Sequence, residues 1–192
     1  TNIGGRLFYF NDTSQLTFEP RVSLSYELMN GFYIKGAAAV ANQYLHLITR
    51  NDIALPSDLW YPATANVQPS RSTQYVFGLD KYFDEESYQS SVEVYYRDMK
   101  NIYEFKNSPE INPLNNSIED QFVKGVGEAY GMELFFQKRE GNLIGWIGYT
   151  LSWTKRKFDE LNLGKVFYPK YDRRHDLSLA ATYNLKEQIT FG

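Results

Sequence analysis

An alternation of apolar and polar side chains is the feature of this sequence that most restricts its fold. In "HDLSLAATYNL", the positions that share parity with Leu177 and Leu179 carry apolar or aromatic residues, and the positions between them are mostly polar. The same pattern recurs in "RVSLSYEL", "SSVEVYYRD", "GMELFFQK" and "GWIGYTLSW". Because successive side chains of a strand point to opposite faces, each of these segments predicts a β-strand with two unlike faces.

The predicted strands are long. We expect strands near 3–10, 16–28, 32–45, 72–83, 88–104, 126–139, 143–157 and 174–185, followed by a short strand at 188–192. Strands of ordinary sandwiches commonly have about 5–6 residues, whereas a strand tilted by about 40° needs roughly 10 residues to cross an apolar band about 25 Å tall. No segment predicts a helix of comparable strength, although 50–60 and 108–121 could contain short turns.

The connections between these strands alternate between short and long. The short ones read "MNG", "DEES", "REGN" and "KE", and Asn-Gly is a favoured hairpin pair. The long ones are polar and cover about 46–71, 105–125 and 158–173, with "NDTSQ" as one short member of that class. Short turns at one end and long loops at the other are typical of outer-membrane barrels. The sequence therefore predicts an all-β, transmembrane, antiparallel up-and-down β-barrel, with 29–31 in the periplasm and 46–71 outside the cell.

Aromatic residues make up 17% of the chain, yet its mean hydropathy is −0.49, so rings and polar groups must be interleaved. Many rings fall at predicted strand ends, where an amphipathic ring suits the headgroup level of a membrane. The longest run of small apolar residues, "GAAAVA", is far shorter than the roughly 20 residues of a membrane helix. A soluble protein whose core is filled by these rings remains the alternative.

Composition argues against several classes of function. The formal charge of −3 gives no basic surface for nucleic acid, and the absence of cysteine removes disulfides and thiolate chemistry. His46 and His175 lack partners at metal-binding spacing. We therefore expect no enzyme activity, no catalytic residue, no metal site and no cofactor.

Five segments together resemble the barrel of TonB-dependent outer-membrane receptors, particularly the Bacteroidota type: "LTFEPRVSLSYEL", "NVQPSRSTQYVFGLDKYF", "SSVEVYYRDMKNIYEF", "GEAYGMELFFQKREGNLIGWIGYTLSWTKRKF" and "YPKYDRRHDLSLAATYNL". The resemblance covers roughly 16 to 188. Members of this family are far longer, with an N-terminal plug domain, a TonB box and a 22-stranded barrel. The resemblance thus implies that 1–192 is a partial, late-barrel segment of about nine strands, without the plug domain and the earlier strands.

The resemblance also implies a function, which is active uptake of a scarce ligand such as a chelate, a glycan or a peptide across the bacterial outer membrane. The implied partners are outer-membrane lipid, the protein's own plug domain and remaining barrel strands, TonB acting through the plug, and a surface lipoprotein; nucleic acid is not among them. A passive porin or an adhesive barrel without energy coupling is the main alternative. An enzyme carried on a barrel is the weakest one, because two isolated histidines offer little catalytic material.

The loop "NDIALPSDLWYPATANVQPS" contains the candidate ligand contacts Asp58, Trp60 and Tyr61. Flat rings with polar tips suit stacking on a sugar, a peptide or a chelate. The alternative is that the two rings only hold the long loop against the barrel rim.

Two further groups of polar residues are candidates. The lumen-facing parity carries Glu93, Arg97, Glu133 and Gln137, for which contact with a plug domain or lumen water is the alternative to contact with a ligand. Neighbours in the cluster 172–176, "DRRHD", point to opposite faces if they lie in a strand, so they cannot converge on one reacting atom. We interpret that cluster as headgroup-level charge, with arginines available to lipid phosphate or polysaccharide and Asp172 pairing with a neighbouring strand.

Overall fold

The computed structural model describes residues 1–11, 15–49, 59–83, 85–107, 117–186 and 189–191, and is all-β over these ranges. The strands are β1 (Asn2–Phe10), β2 (Gln15–Met29), β3 (Phe32–Gln43), β4 (Leu45–Ile48), β5 (Leu59–Pro62), β6 (Ser70–Phe83), β7 (Tyr88–Phe105), β8 (Phe122–Lys138), β9 (Leu143–Phe158), β10 (His175–Lys186) and β11 (Ile189–Phe191). The helical elements of the described chain are short 3-10 turns, among them Ile118–Gln121 and Asn162–Gly164. None of its helices is long and apolar enough to cross a bilayer.

Nine of these strands form one antiparallel sheet in the order β1-β2-β3-β6-β7-β8-β9-β10-β11. Apart from β4 and β5, which lie outside this sheet, each strand pairs with the next one along the chain. β1 and β11 are the two edges of the sheet. This is the predicted up-and-down order, and the eight long strands and the short final strand expected from the sequence are confirmed. The sheet is open, as expected for part of a larger barrel.

The connections confirm the predicted difference in length. Tight turns join β2 to β3, β6 to β7 and β8 to β9, whereas 44–69, 106–121 and 159–174 separate the strands at the opposite end of the sheet. Gly31 has a positive φ of 69°. A Cβ at that position would approach the Tyr82 carbonyl oxygen to 2.5 Å, so the turn after β2 requires glycine for two reasons.

The long connections hold more structure than the alternation predicted. The antiparallel hairpin of β4 and β5 spans Leu45–Pro62, almost entirely within 46–71, where only a loop with short turns was expected. The turn Ile118–Gln121 begins with a capping box, in which the Ser117 hydroxyl accepts the Glu119 N–H and Asp120 accepts the Ser117 N–H. β8 begins at Phe122, four residues before the expected start, because its outer end pairs with an extension of β7.

One face of the large sheet is apolar and open to its surroundings; we call it the apolar face. Cross-strand register aligns Phe77 with Val94 and Val94 with Met132, and rows above and below repeat this composition. Leu179 is 67% exposed and Leu24 is 53% exposed. A soluble domain would cover so broad an apolar surface, whereas lipid can do so in a barrel. The structure therefore favours the barrel over the soluble alternative.

Aromatic clusters bound the apolar face at both ends. Phe83 and Tyr88 stack 5.5 Å apart near the tight turns, and Tyr130 and Trp153 stack 5.5 Å apart near the long connections. Tyr88 and Tyr96, on the same face, are eight positions apart in β7, which is about 26 Å along a strand that rises about 3.3 Å per residue. At a tilt of about 40° this gives a height of roughly 20 Å, close to that of an outer-membrane apolar band.

The buried cores are small and lie at the end with the long connections. One consists of Ile48, Val67, Tyr103 and Phe122, which join the β4–β5 hairpin to the outer ends of β7 and β8. The other consists of Val123, Phe158 and Leu161. Buried apolar side chains thus stabilise the long connections. The middle of the sheet is stabilised by its backbone hydrogen bonds and by whatever covers its two faces.

Candidate functional site

The face opposite the apolar face, which we call the polar face, carries the predicted lumen residues. Glu93 lies directly across from Glu133 in the β7–β8 register, and Arg97 and Gln137 share this face. Arg97 donates to the Gln74 side-chain oxygen through Nε at 3.1 Å and Nη2 at 2.6 Å. Gln137 accepts a hydrogen bond from Arg139 at the tight-turn end.

Sequence reasoning did not single out an ion pair on this face, near the tight-turn end of the strands. Lys35 of β3 pairs with Asp80 of β6, whose side chain is fully buried. Both residues occupy polar-face positions within mostly apolar segments, "FYIKGAA" for Lys35 and "VFGLDKY" for Asp80. A charge at the polar parity of a long amphipathic strand is therefore the signal that would have identified them.

The β4–β5 hairpin is held by one carboxylate from the next long connection. Glu119 accepts hydrogen bonds from the Tyr61 hydroxyl at 2.9 Å, the Thr64 hydroxyl at 2.8 Å and the Asn66 amide at 2.8 Å. These bonds, that from Asn66 first, hold the pKa of Glu119 below its usual range. We call this arrangement the Glu119 clasp; it lies outside the membrane-spanning part of the strands.

The Glu119 clasp gives the two predicted ligand-binding rings different environments. Tyr61 packs edge-on against Phe122 at 5.1 Å, and desolvation together with Glu119 raises its pKa. Trp60, the next residue in β5, is 59% exposed. Tyr61 thus has the anchoring contacts of the alternative interpretation, whereas the Trp60 ring remains available. Asp58, the third residue of this prediction, lies outside the described residues.

A concavity of about 430 Å³ lies between the polar face and the β4–β5 hairpin. Its described lining includes Arg97, Arg156 and His46, and no Asp or Glu is among the described lining residues. Arg156 donates to the buried Glu104 at 2.7 Å, so that charge is compensated. Arg97 has the Gln74 amide as its hydrogen-bond partner, so the concavity keeps a positive character suited to an anionic group.

His46 forms the floor of the concavity next to Tyr103, and only 4% of it is exposed. Its Nδ1 lies 3.1 Å from the Ser70 hydroxyl, which donates its proton to the Asn101 carbonyl. Nδ1 must then be the donor toward Ser70. Burial lowers the pKa of His46 against the opposing effect of the Gln68 carbonyl, so the ring is neutral near pH 7.

The 172–176 cluster has structural partners, and most of it precedes the strand, which begins at His175. Asp172 accepts the Thr154 N–H of β9 at 2.8 Å and a hydrogen bond from Arg174 at 2.8 Å. The Arg174 guanidinium also lies 5.2 Å from the Trp153 ring centroid. Asp172 therefore bonds to the neighbouring strand as expected, and Arg174 is already neutralised. The described residues contain no group of His, Cys, Asp or Glu arranged to hold a metal ion.

Comparison with known proteins agrees with this architecture. The family model "TonB dependent receptor-like, beta-barrel" matches residues 1–192. No curated protein sequence matched. Among solved structures, the ferripyoverdine receptor of the Pseudomonas aeruginosa outer membrane aligns with a TM-score of 0.68 and 17% identity, over 97% of this chain and 24% of that one.

Two further structures share the fold. The siderophore receptor PirA from Pseudomonas aeruginosa aligns with a TM-score of 0.60 and 15% identity, over 98% of this chain and 40% of that one. The FrpB iron transporter from Neisseria meningitidis aligns with a TM-score of 0.58 and 9% identity, over 91% of this chain and 25% of that one.

The chain spans less than half the length of each of these three structures. The family model covers the whole chain, and the open nine-stranded sheet has the strand order and two unlike faces of such a barrel. This family is one of outer-membrane receptors for transport rather than of enzymes. The chain belongs to the TonB-dependent receptor β-barrel family.

Proposed function

We propose that this chain is part of the barrel of an outer-membrane receptor that takes up a scarce ligand in a TonB-dependent manner. The observation that carries the proposal is the match of the barrel family model over residues 1–192. The sheet supports it, with an apolar face suited to lipid and a charged face suited to a filled interior.

The ligand contacts the end of the barrel with the long connections, which we orient toward the cell exterior. The concavity offers the Arg97 cation, which bonds to the neutral Gln74 amide and has no carboxylate partner among the described residues. Trp60 offers an exposed ring on the neighbouring hairpin. Together they suit an anionic ligand with a flat or ring-bearing part. An anionic ferric chelate has this chemistry, and the three structural neighbours are a ferripyoverdine receptor, a siderophore receptor and an iron transporter.

Uptake requires components beyond this chain. We place a plug domain from the same protein inside the completed barrel, with TonB acting on the plug and outer-membrane lipid around the apolar face. We also place a surface lipoprotein that delivers the ligand at this rim, where the Trp60 ring is exposed. Residues 1–192 form part of the barrel wall and part of the ligand-binding rim.

Uptake of radiolabelled iron by cells that produce the full-length receptor tests the proposal. A panel of ferric chelates is compared in TonB-containing and TonB-deficient cells, with the wild type and Arg97→Gln. We expect TonB-dependent uptake of an anionic chelate that Arg97→Gln weakens by roughly tenfold in apparent affinity. Lys138→Gln is the control: it removes the same charge at the tight-turn end but on the apolar face, where the ammonium lies 5.7 Å from the Tyr88 ring centroid, and it should leave uptake unchanged. Uptake that persists without TonB would instead indicate a passive porin, and surface attachment without uptake an adhesive barrel.

A further inference from the structure

Two guanidiniums that line the concavity at the rim have no carboxylate partner among the described residues. Arg71, near the start of β6, is exposed and lines the concavity together with Arg97. In the described part of the chain neither of them forms an ion pair, and Arg97 bonds to the neutral Gln74 amide. The third arginine of the described lining, Arg156, is neutralised by Glu104. The concavity thus keeps two positive charges that no described side chain balances.

These two arginines are close enough to act on one small ligand. Arg97 lies opposite Gln74 in the β6–β7 register, and Arg71 precedes Gln74 by three positions, which is about 10 Å along a strand that rises about 3.3 Å per residue. The concavity has a volume of about 430 Å³, toward the lower end of the range of about 300–1,000 Å³ for small-molecule sites. A compact ligand group there can contact both guanidiniums.

The strand register gives an independent reason for an anion at Arg71. Arg71 lies directly opposite Lys100 of β7, which is also exposed. Like charges at directly opposed positions destabilise a sheet. Lys100 is not among the described residues that line the concavity, so a ligand in the concavity meets Arg71 rather than Lys100. An anion bound there reduces the repulsion between the two cations.

The rest of the concavity offers little to a flat ring. Its other described lining residues are mostly neutral polar and aliphatic side chains such as Ser72 and Leu47. The His46 and Tyr103 rings in the lining pack edge-on against each other, with centroids 5.0 Å apart. Trp60, the exposed ring of the hairpin, is not among the described lining residues. The concavity therefore recognises charge, and a ring-bearing part of the ligand is left to Trp60 outside it.

We propose that the concavity binds a ligand group with two oxyanions close together, one bonded to Arg97 and the other to Arg71. A guanidinium presents a planar fork of donors that bonds bidentately to a carboxylate or a phosphate. Neighbouring carboxylates and linked phosphates share this chemistry. A ligand with two such groups neutralises both arginines, whereas a ligand with one leaves a positive charge unbalanced. The inference rests on the proposed function, because it names the ligand class of the same site.

Calorimetric titration of the purified full-length receptor with small oxyanions tests the proposal. The probes are citrate and pyrophosphate, which carry more than one oxyanion group, and lactate, which carries one. We expect citrate or pyrophosphate to bind about tenfold more tightly than lactate, and Arg71→Gln and Arg97→Gln each to weaken that binding by about tenfold. A preference for citrate assigns carboxylates to the ligand, and a preference for pyrophosphate assigns phosphates. Equal affinity for lactate, lack of binding by both polyanions, or wild-type affinity in Arg71→Gln would overturn the proposal.

Lys100→Gln is the matched control, because it removes the same charge from the residue opposite Arg71 but outside the described lining of the concavity. It should keep wild-type affinity for the polyanion. A loss equal to that in Arg71→Gln would indicate a general surface field and would overturn the assignment to Arg71. Arg71→Lys keeps the charge but not the planar fork, so its loss of affinity should be smaller than that of Arg71→Gln. Heat-modifiable migration on gels verifies that each variant is folded.

These titrations require neither TonB nor uptake. A receptor that binds citrate or pyrophosphate through both arginines but transports no ferric chelate would contradict the proposed function and support the two-oxyanion site. A receptor that transports a chelate but binds neither polyanion would do the reverse. The failure of one proposal is therefore distinguishable from the failure of the other.

Discussion

Single residues on this sheet have environments set by parity. Leu179 belongs to the apolar face and pairs with Ile147, whereas its neighbour Ser178 pairs with Gly148 on the polar face. The two residues are adjacent in the chain, yet their side chains face different surroundings. The interpretation of both faces can therefore be tested at adjacent positions of one strand.

Arginine substitutions at these positions should have opposite outcomes in the full-length receptor. Leu179→Arg should reduce the amount of folded receptor in the outer membrane, because arginine on the lipid face near the midplane costs about 2–4 kcal/mol. Ser178→Arg should be tolerated, because a polar interior offers water or carboxylates. Heat-modifiable migration of the receptor in membrane fractions measures both. Severe loss in both variants would contradict the assignment of the two faces.

The two rings of β5 should respond differently to substitution. Trp60→Ala should weaken ligand binding by about 1–3 kcal/mol, roughly 5- to 150-fold, without affecting assembly. Tyr61→Phe removes the hydroxyl bond to Glu119 and should destabilise the hairpin by about 1 kcal/mol. Calorimetric titration of the receptor with its transported chelate measures the first effect, and amide hydrogen exchange of 59–67 measures the second. Unchanged binding in Trp60→Ala would assign this ring to the rim alone.

At the scale of elements, the β4–β5 hairpin shows how a long connection becomes ordered on a barrel. β7 continues beyond its pairing with β6, and Thr49 bridges to Glu104 on this extension. Ile48 and Val67 pack in a buried core against Tyr103 and Phe122 of the outer strand ends. Backbone pairing, a small apolar core and the Glu119 clasp thus act together on one rim element.

The Glu119 clasp should make this hairpin sensitive to acid. The pKa of Glu119 is lowered in the folded protein, so its stabilisation is complete above the unfolded value of about 4.3 and is lost as pH falls through the folded value. We expect amide exchange of 59–67, corrected for intrinsic rates, to increase as the pH falls below about 4 in the wild type. Glu119→Gln should exchange faster at neutral pH and lose this pH dependence. The same pH profile in both proteins would assign the transition to another group.

At the scale of the whole molecule, the two open edges of the sheet determine whether it is stable in lipid. β1 and β11 each pair with one neighbour and not with each other. An unpaired edge in a bilayer leaves backbone donors and acceptors without partners, which is why membrane strands occur in closed barrels. The described sheet therefore needs further strands to be stable in lipid.

Residues 1–192 produced alone should not refold into a monomeric, closed barrel. We expect aggregates or mixed oligomers in detergent, because backbone donors and acceptors at the two sheet edges can pair with those of other molecules. Size-exclusion chromatography with light scattering and heat-modifiable migration measure this directly. The full-length receptor is the positive control for the refolding conditions. A monodisperse, heat-modifiable monomer of 1–192 would contradict the view that this sheet is an incomplete barrel.

The sequence by itself determined the strands of the large sheet, their order and their two faces. A period of two over more than ten residues is a local property, and hairpin connectivity leaves little choice of neighbours for strands such as β7 and β8. Parity also placed Glu93, Arg97, Glu133 and Gln137 on one face, because a side chain's face follows from counting along the strand.

Only the tertiary structure decided which residues meet across long separations. Lys35 and Asp80 are 45 positions apart, and Tyr61 and Glu119 are 58 positions apart, so no periodicity relates them. The β4–β5 hairpin was missed because its strands are four residues long and depend on the extension of β7 for their packing. Local patterns encode which face a residue takes, whereas register and loop packing, which bring distant residues into contact, arise only when the whole sheet is assembled.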